Sequence, residues 1–279
     1  MKFNEDTRVK IPSILHLTRL GYEYLSLKDA SWDIETNIFK DLFISSIKNI
    51  NKDKNLKDDE INRLFNDISL SLENDDLGKA FYERLTQKSG IRLIDFDNFS
   101  NNKFNVVTEL TYKKDDDEFR PDIILLINGM PLVFIEVKKP NNIDGIRAER
   151  KRINTRFQNK AFKKFVNLTQ LMIFSNNMEY DDESTEAIQG AFYATSSYTK
   201  LIFNYFREEE IFDLDEILKP LNEDTENFLL KDTNYSIMKH SPEFIINKNP
   251  NTPTNRLSTS ILSIDRLCFI LKYSIAYVQ

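Results

Sequence analysis

The sequence predicts a mixed α/β chain: a mixed central sheet flanked by helices, with mainly helical additions at both ends. Three observations carry that prediction. Apolar residues recur at helical spacing through the first ninety positions, and short runs rich in Val, Ile and Phe follow between 91 and 138. Only six glycines are spread over 279 residues, which argues against an all-β sandwich with its many tight turns.

Each element follows from its local pattern. Ile38, Phe39, Leu42, Phe43 and Ile47 share one helical face, as do Ile61, Leu64, Phe65 and Ile68. The charged stretch 51–60 (NKDKNLKDDE) connects them. A third helix is predicted over 76–88, with Gly90 as its cap. Strand signatures then occupy 91–96, 104–112, 121–127 and 132–138. Asn128-Gly129 joins the last two as a hairpin turn, because both residues tolerate positive φ. A basic helix is predicted over 143–165, followed by strands at 168–174 and 191–195. Past residue 200 the chain turns acidic and helical (REEEIFDLDEIL), then loop-like at 247–255, then amphipathic from 257 onward. The regions therefore read as 1–90 mainly helical, 91–200 the core, and 201–279 mainly helical. The final helix is still apolar at Tyr277-Val278, which reads as a piece of a longer protein.

Composition narrows the function. A net charge of −6 excludes a wholly basic protein that coats nucleic acid, though a local basic stripe remains compatible. The single cysteine, Cys268, excludes an intramolecular disulfide and a cysteine-rich zinc site, and it fits a reducing compartment. His16 and His240 form no metal-ligand pattern, and Trp32 reads as a packing residue. The N-terminus has no apolar signal region, and the apolar stretch 267–278 is broken by Lys272 and too short to span a bilayer. The expectation is a cytoplasmic protein without a membrane.

The chemistry concentrates in residues 120–140, RPDIILLINGMPLVFIEVKKP. Asp122 opens one strand of the hairpin. Glu136 and Lys138 lie two apart on the other, so they face one side of the sheet. Two carboxylates converging with a lysine suit metal-assisted phosphodiester hydrolysis: hard oxygens hold Mg²⁺, and an ammonium orients water or offsets charge growing on the phosphate. Charges directly after the apolar Leu132–Ile135 are costly without partners or a metal. An E-x-K on a strand also arises by chance, so spacing by itself leaves both readings open.

The predicted basic helix 143–165 carries eight Lys or Arg against two acids. It holds +6, so the rest of the chain stands at −12. That concentration beside the hairpin fits contact with a phosphate backbone, although a solvated helix face would look alike. The candidate contacts are Arg147, Arg150, Lys151, Arg156, Gln158 and Lys160. The acidic run 115–118 reads as a solvated turn.

The hairpin resembles the PD-(D/E)xK nuclease motif in the N-terminal part of the restriction (R) subunit of type I restriction-modification enzymes. LIDFDNFSNNKFNVVTELT before it agrees, as do NNIDGIRAERKRI and LTQLMIFSNNMEY after it, and LTRLGYEYL near the start. The resemblance covers most of residues 10–200. It implies a restriction-endonuclease-like core, Mg²⁺-dependent cleavage of double-stranded DNA, and modification and specificity subunits as partners. It also implies Asp122 and Glu136 as metal ligands and Lys138 as the catalytic lysine. In that family an ATP-driven motor follows the nuclease; this chain contains no G-x-x-x-x-G-K-[ST], so no Walker-type ATP site is expected in it. Related nucleases carry Gln-x-x-x-Tyr on the next helix, where this chain has Ile153-x-x-x-Phe157, with Gln158 beyond. The competing readings are a non-catalytic DNA-binding or docking lobe, and a junction or repair nuclease of the same fold.

One geometric expectation follows. A plain two-residue turn at Asn128-Gly129 pairs Asp122 with Ile135, which points away from the Glu136 face. A shared ion requires a one-residue shift. The expected device is a three-residue connection, Asn128-Gly129-Met130, or an equivalent bulge farther down the hairpin.

Overall fold

The computed structural model describes residues 9–138, 143–175, 191–194, 204–205, 219–220, 223–232 and 267. Among these, helices run over Ile11–Arg19 (α1), Lys40–Ile50 (α2), Asp58–Ser71 (α3), Lys79–Leu85 (α4), Ile143–Gln158 (α5), Lys163–Leu168 (α6) and Glu223–Asp232 (α7). Strands run over Glu23–Tyr24 (β1), Phe104–Thr108 (β2), Tyr112–Lys114 (β3), Asp117–Phe119 (β4), Ile123–Ile127 (β5), Met130–Val137 (β6), Leu171–Ser175 (β7), Ala191–Ala194 (β8) and Asn204–Tyr205 (β9).

Seven strands make one mixed sheet in the order β1-β2-β5-β6-β7-β8-β9, and β3-β4 forms a separate hairpin. The pairings β1–β2 and β6–β7 are parallel; the others are antiparallel. β5 and β6 are buried at every position, which is why their sequences read as continuous apolar runs. Odd-numbered residues of the central strands, such as Leu125, Ile135 and Ile173, share a core with α1, α2 and α3. Even-numbered residues, such as Ile124, Phe134 and Phe174, meet Tyr112, Phe119, Ile153 and Phe165 on the other face. Asp122, Glu136 and Lys138 are even-numbered, so they belong to this second face at the end where β6 runs out.

The hairpin solves the register problem by its second route. Ile127 pairs with Met130 across a two-residue turn, with Asn128 at φ 52 and Gly129 at φ 80. The pairing shifts between Leu125 and Leu126, where Leu132 is the extra residue, and Ile123 then faces Ile135. One step farther along, that register sets Asp122 opposite Glu136. The bulged residue is not wasted: its carbonyl accepts the Gln170 amide at 2.8 Å. The three-residue connection is therefore not what forms. Beside a two-residue turn the second pair, Leu126 with Pro131, makes no cross-strand bonds, so β5 does not need the N–H that Pro131 lacks.

Other expectations need correction. Residues 91–96 form no strand, although Leu93 and Ile94 are buried. Side-chain amides take the place of a sheet partner: Asn51 Oδ1 accepts the Arg92 amide, Asn128 Nδ2 donates to Leu93 O, and Asn102 Oδ1 accepts the Asp95 amide. The run 104–112 breaks at Glu109, whose φ of 56 turns the chain from β2 toward β3. The basic helix is two helices, because Asn159 accepts the Ala161 amide and starts a short 3₁₀ turn. The third helix ends at Leu85, where the Thr86 hydroxyl donates to Tyr82 O, so Gly90 is not its cap. Trp32 does pack, against Phe39. The features expected at 247–255 and from 257 onward, His240 and Cys268 lie outside the described residues, Leu267 excepted.

Candidate nuclease site

The site grows from the ends of two strands. Asp122 precedes β5, and its Oδ2 accepts the Val137 amide at 3.0 Å, tying the two strand ends together. Val137 points to the opposite core, so Glu136 and Lys138 are left on the Asp122 side. The Lys138 amide donates to Ser175 O of β7 at 2.8 Å, which fixes the backbone just past the strand. The structure thus brings together all three side chains that the sequence singled out.

Four ion-pair contacts close around this end. Lys138 Nζ lies 3.0 Å from Glu136 Oε1 and 3.5 Å from Glu149 Oε2 of α5. Lys10 Nζ is 2.6 Å from Glu109 Oε1 and 3.8 Å from Asp122 Oδ1. Lys10, Glu109 and Glu149 are not among the residues that the sequence pattern singles out. A lysine between Val9 and Ile11 carries no local signal, and Glu109 simply follows a strand. Glu149 had one legible sign: it is an acid inside the basic run RAERKR with arginines three and seven places on.

Burial raises the affinity of both strand acids for protons. Glu136 is 7% exposed, and desolvation, reinforced by the nearby Asp122 charge, pushes its carboxyl up to about 7 against the pull of Lys138. Asp122 is also raised, first by burial, with the Val137 amide and Lys10 opposing. Burial lowers Lys138, but Glu136 and Glu149 outweigh it and the net shift is upward.

The sign of the resulting pH dependence is fixed. Glu136 holds its proton more tightly folded than unfolded, so its contribution is complete below about 4.5 and lost as pH climbs to about 7. In the absence of divalent cations the protein is expected to lose roughly 3 kcal/mol of stability through this group across that window. Glu136→Gln should melt higher than wild type at pH 8 and equal it at pH 4.5. Parallel melting curves at both pH values would contradict the buried, under-compensated carboxylate.

The donor set suits a hard cation. Glu136 Oε2 is buried and has no hydrogen-bond partner among the described residues. Among the described residues no three His, Cys, Asp or Glu side chains gather as ligands. A cation here would therefore take one or two carboxylates and complete its shell with water, the usual habit of Mg²⁺.

The candidate DNA contacts divide. Lys151, Gln158 and Lys160 are exposed, whereas Arg156 turns inward, 3.3 Å from Glu149 Oε1 with its guanidinium 4.2 Å from the Phe119 ring centroid. Two other cations of the basic segment are spent internally. Lys163 pairs with Asp75, and the buried Lys164 pairs with Glu35 and Glu73. Ile153 is buried in the second core and Phe157 packs against it. The side chains of Arg147 and Arg150 lie outside the described residues. The acidic run 115–118 is exposed at the tip of β3-β4.

The sequence profile described as the type I restriction enzyme R protein N terminus matches residues 2–181. The chain belongs to that family. Every side chain of the site lies within the matched segment of this R-protein N terminus. A putative type I restriction enzyme endonuclease subunit (MjaIXP) of Methanocaldococcus jannaschii is 31% identical, covering 50% of this chain and 16% of the relative. A second subunit from that organism (MjaVIIP) is 41% identical over 21% of this chain and 6% of its own length. The HindI endonuclease subunit of Haemophilus influenzae is 43% identical over 18% of this chain and 5% of its own length. The chain thus spans less than a fifth of the length of these relatives. Among the described residues no helix is long and apolar enough to cross a membrane.

Proposed function

We propose that this chain is the DNA-cleaving module of a type I restriction enzyme, with a PD-(D/E)xK core that hydrolyses phosphodiester bonds in double-stranded DNA. The observation that carries the proposal is the bulge at Leu132, which sets Asp122 opposite Glu136 and Lys138 at one sheet end. Asp122 and Glu136 would hold Mg²⁺, which when bound supplies a Lewis acid at the phosphate and a more acidic water. Val137 fixes the Asp122 carboxylate through its amide. Lys138 places a positive charge beside the reacting phosphate, where charge develops in the transition state. The low exposure of Glu136 and Lys138 limits bulk solvent around them and strengthens each of these interactions.

The wider assignments rest on the family. Double-stranded DNA is the substrate, modification and specificity subunits are the partners, and ATP is used by a motor outside this chain. A non-catalytic lobe of the same fold is less favoured. Buried carboxylates destabilise a protein that makes no use of them, and a docking surface needs no such cluster.

Cleavage of plasmid DNA by the assembled enzyme, with Mg²⁺ and with chelator, tests the reading. Cleavage that persists under chelation would overturn it. The chain alone is expected to bind DNA weakly, because its net charge is −6 and several cations of the basic segment are internally paired. Binding measured between 50 and 200 mM salt should fall steeply as phosphate contacts are replaced by counterions. Tight, salt-insensitive binding would contradict this picture.

A further inference from the structure

Glu149 is a fully buried carboxylate on α5, the helix that follows the E-x-K strand. Its two oxygens have different neighbours. Oε1 accepts from Arg156 Nη1 at 3.3 Å, and Arg156 is itself held over Phe119. Oε2 lies 3.5 Å from Lys138 and 3.1 Å from Arg152, yet takes no hydrogen bond from a described residue. A fully buried carboxylate is costly unless cations compensate it, and Lys138 is one of the three that do so here. The neighbour whose position matters to the proposed chemistry is the Lys138 ammonium.

Lys138 now contacts Glu136 more closely than Glu149, at 3.0 Å against 3.5 Å. Glu136 is also the carboxylate proposed to hold the divalent ion, and an ammonium and a divalent ion repel each other across one carboxylate. Lys138 then needs a second acceptor within reach. Arg156, anchored by its ring contact, keeps the Glu149 side chain in place to serve as one.

We propose that Glu149 is the positioning residue for Lys138, holding its ammonium beside the reacting phosphate once Glu136 is engaged by a divalent ion. The inference rests on the proposed nuclease reading. Glu149 touches neither ion nor substrate in this role; it acts through the lysine.

The test is a double-mutant cycle in the assembled enzyme. Glu149→Gln, which keeps the shape, should lower kcat for DNA cleavage by about 10- to 100-fold, the usual effect of losing an outer-shell partner, and leave KM for DNA within about threefold. In a Lys138→Ala background it should cause no further loss. Mn²⁺ binding by the purified protein should be retained, weakened by no more than about tenfold as Lys138 stays on Glu136. Glu149→Asp keeps the charge among Arg152 and Arg156 but sets the oxygens back, and should fall between wild type and Glu149→Gln. It carries the test if the glutamine variant does not fold, and wild-type turnover by it would then be the refuting result. Wild-type cleavage by Glu149→Gln, an additive loss on Lys138→Ala, or lost Mn²⁺ binding would each overturn the inference. Lys138→Ala alone separates the two levels. If it cleaves normally, the nuclease reading has failed; if it is inactive while Glu149→Gln is not, only this inference has.

Discussion

Replacing Glu136 with glutamine, or Lys138 with alanine, is expected to lower DNA cleavage by the assembled enzyme by roughly a thousandfold or more, at the upper end for loss of one preorganised charge. Neither change should unfold the protein. Glu136→Gln removes a carboxylate that burial already disfavours, and glutamine keeps its volume. Lys138 follows the last residue of β6 and belongs to neither apolar core, so its loss leaves the packing of Phe134 and Ile135 untouched. The backbone bond from the Lys138 amide to Ser175 survives any side chain except proline. ATP hydrolysis by the assembly should continue, since the role proposed for these groups is confined to the phosphodiester. Nicking and double-strand cleavage assays beside an ATPase assay check the split. Cleavage within tenfold of wild type by either variant would remove that residue from the mechanism.

The second large effect is on stability. Gly129→Ala is expected to destabilise the fold by roughly 3–5 kcal/mol, the sum of a strained φ and an overpacked contact. Gly129 has φ 80, and a Cβ there would lie 2.8 Å from both Phe39 O and Phe43 N. Those are backbone atoms at the start of α2, so neither can swing aside. The same approach brings the Phe39 amide to Gly129 O at 2.9 Å, which seats the hairpin tip on the helix. Asn128 secures the other flank by donating to Leu93 O and Asn102 Oδ1. A loss of this size is a large part of the stability of an ordinary domain, so the urea midpoint should drop sharply. A midpoint near wild type would mean that the hairpin tip is not docked as described.

These two effects locate what was legible in the sequence. Asn-Gly between two apolar runs encodes its turn locally, and Glu-x-Lys after four apolar residues encodes a charged strand end, so Asp122, Glu136 and Lys138 could be found without coordinates. The need for a one-residue shift was legible too, because period-2 geometry puts Asp122 on the wrong face without it. Its position was not, since the choice between Met130 and Leu132 depends on how Gln170 meets the bulged carbonyl. Residues 91–96 show the opposite failure. Their apolar pattern reports burial, but Asn51 and Asn128 satisfy the backbone from 41 and 35 residues away and Asn102 does so across a turn, and no local rule encodes that. Glu149 and Lys10 reach the site only through tertiary packing. Arg156 and Lys164 belong to a basic run whose sequence cannot say which cations face solvent.

Mn²⁺ binding to the purified protein, followed by the paramagnetic signal of the free ion, shows whether Asp122 and Glu136 form the one cation site proposed for them. The expected result is a site that Asp122→Asn and Glu136→Gln each abolish and that Lys138→Ala leaves intact or strengthens by removing a competing charge. Equal Mn²⁺ binding by wild type and Glu136→Gln would contradict it.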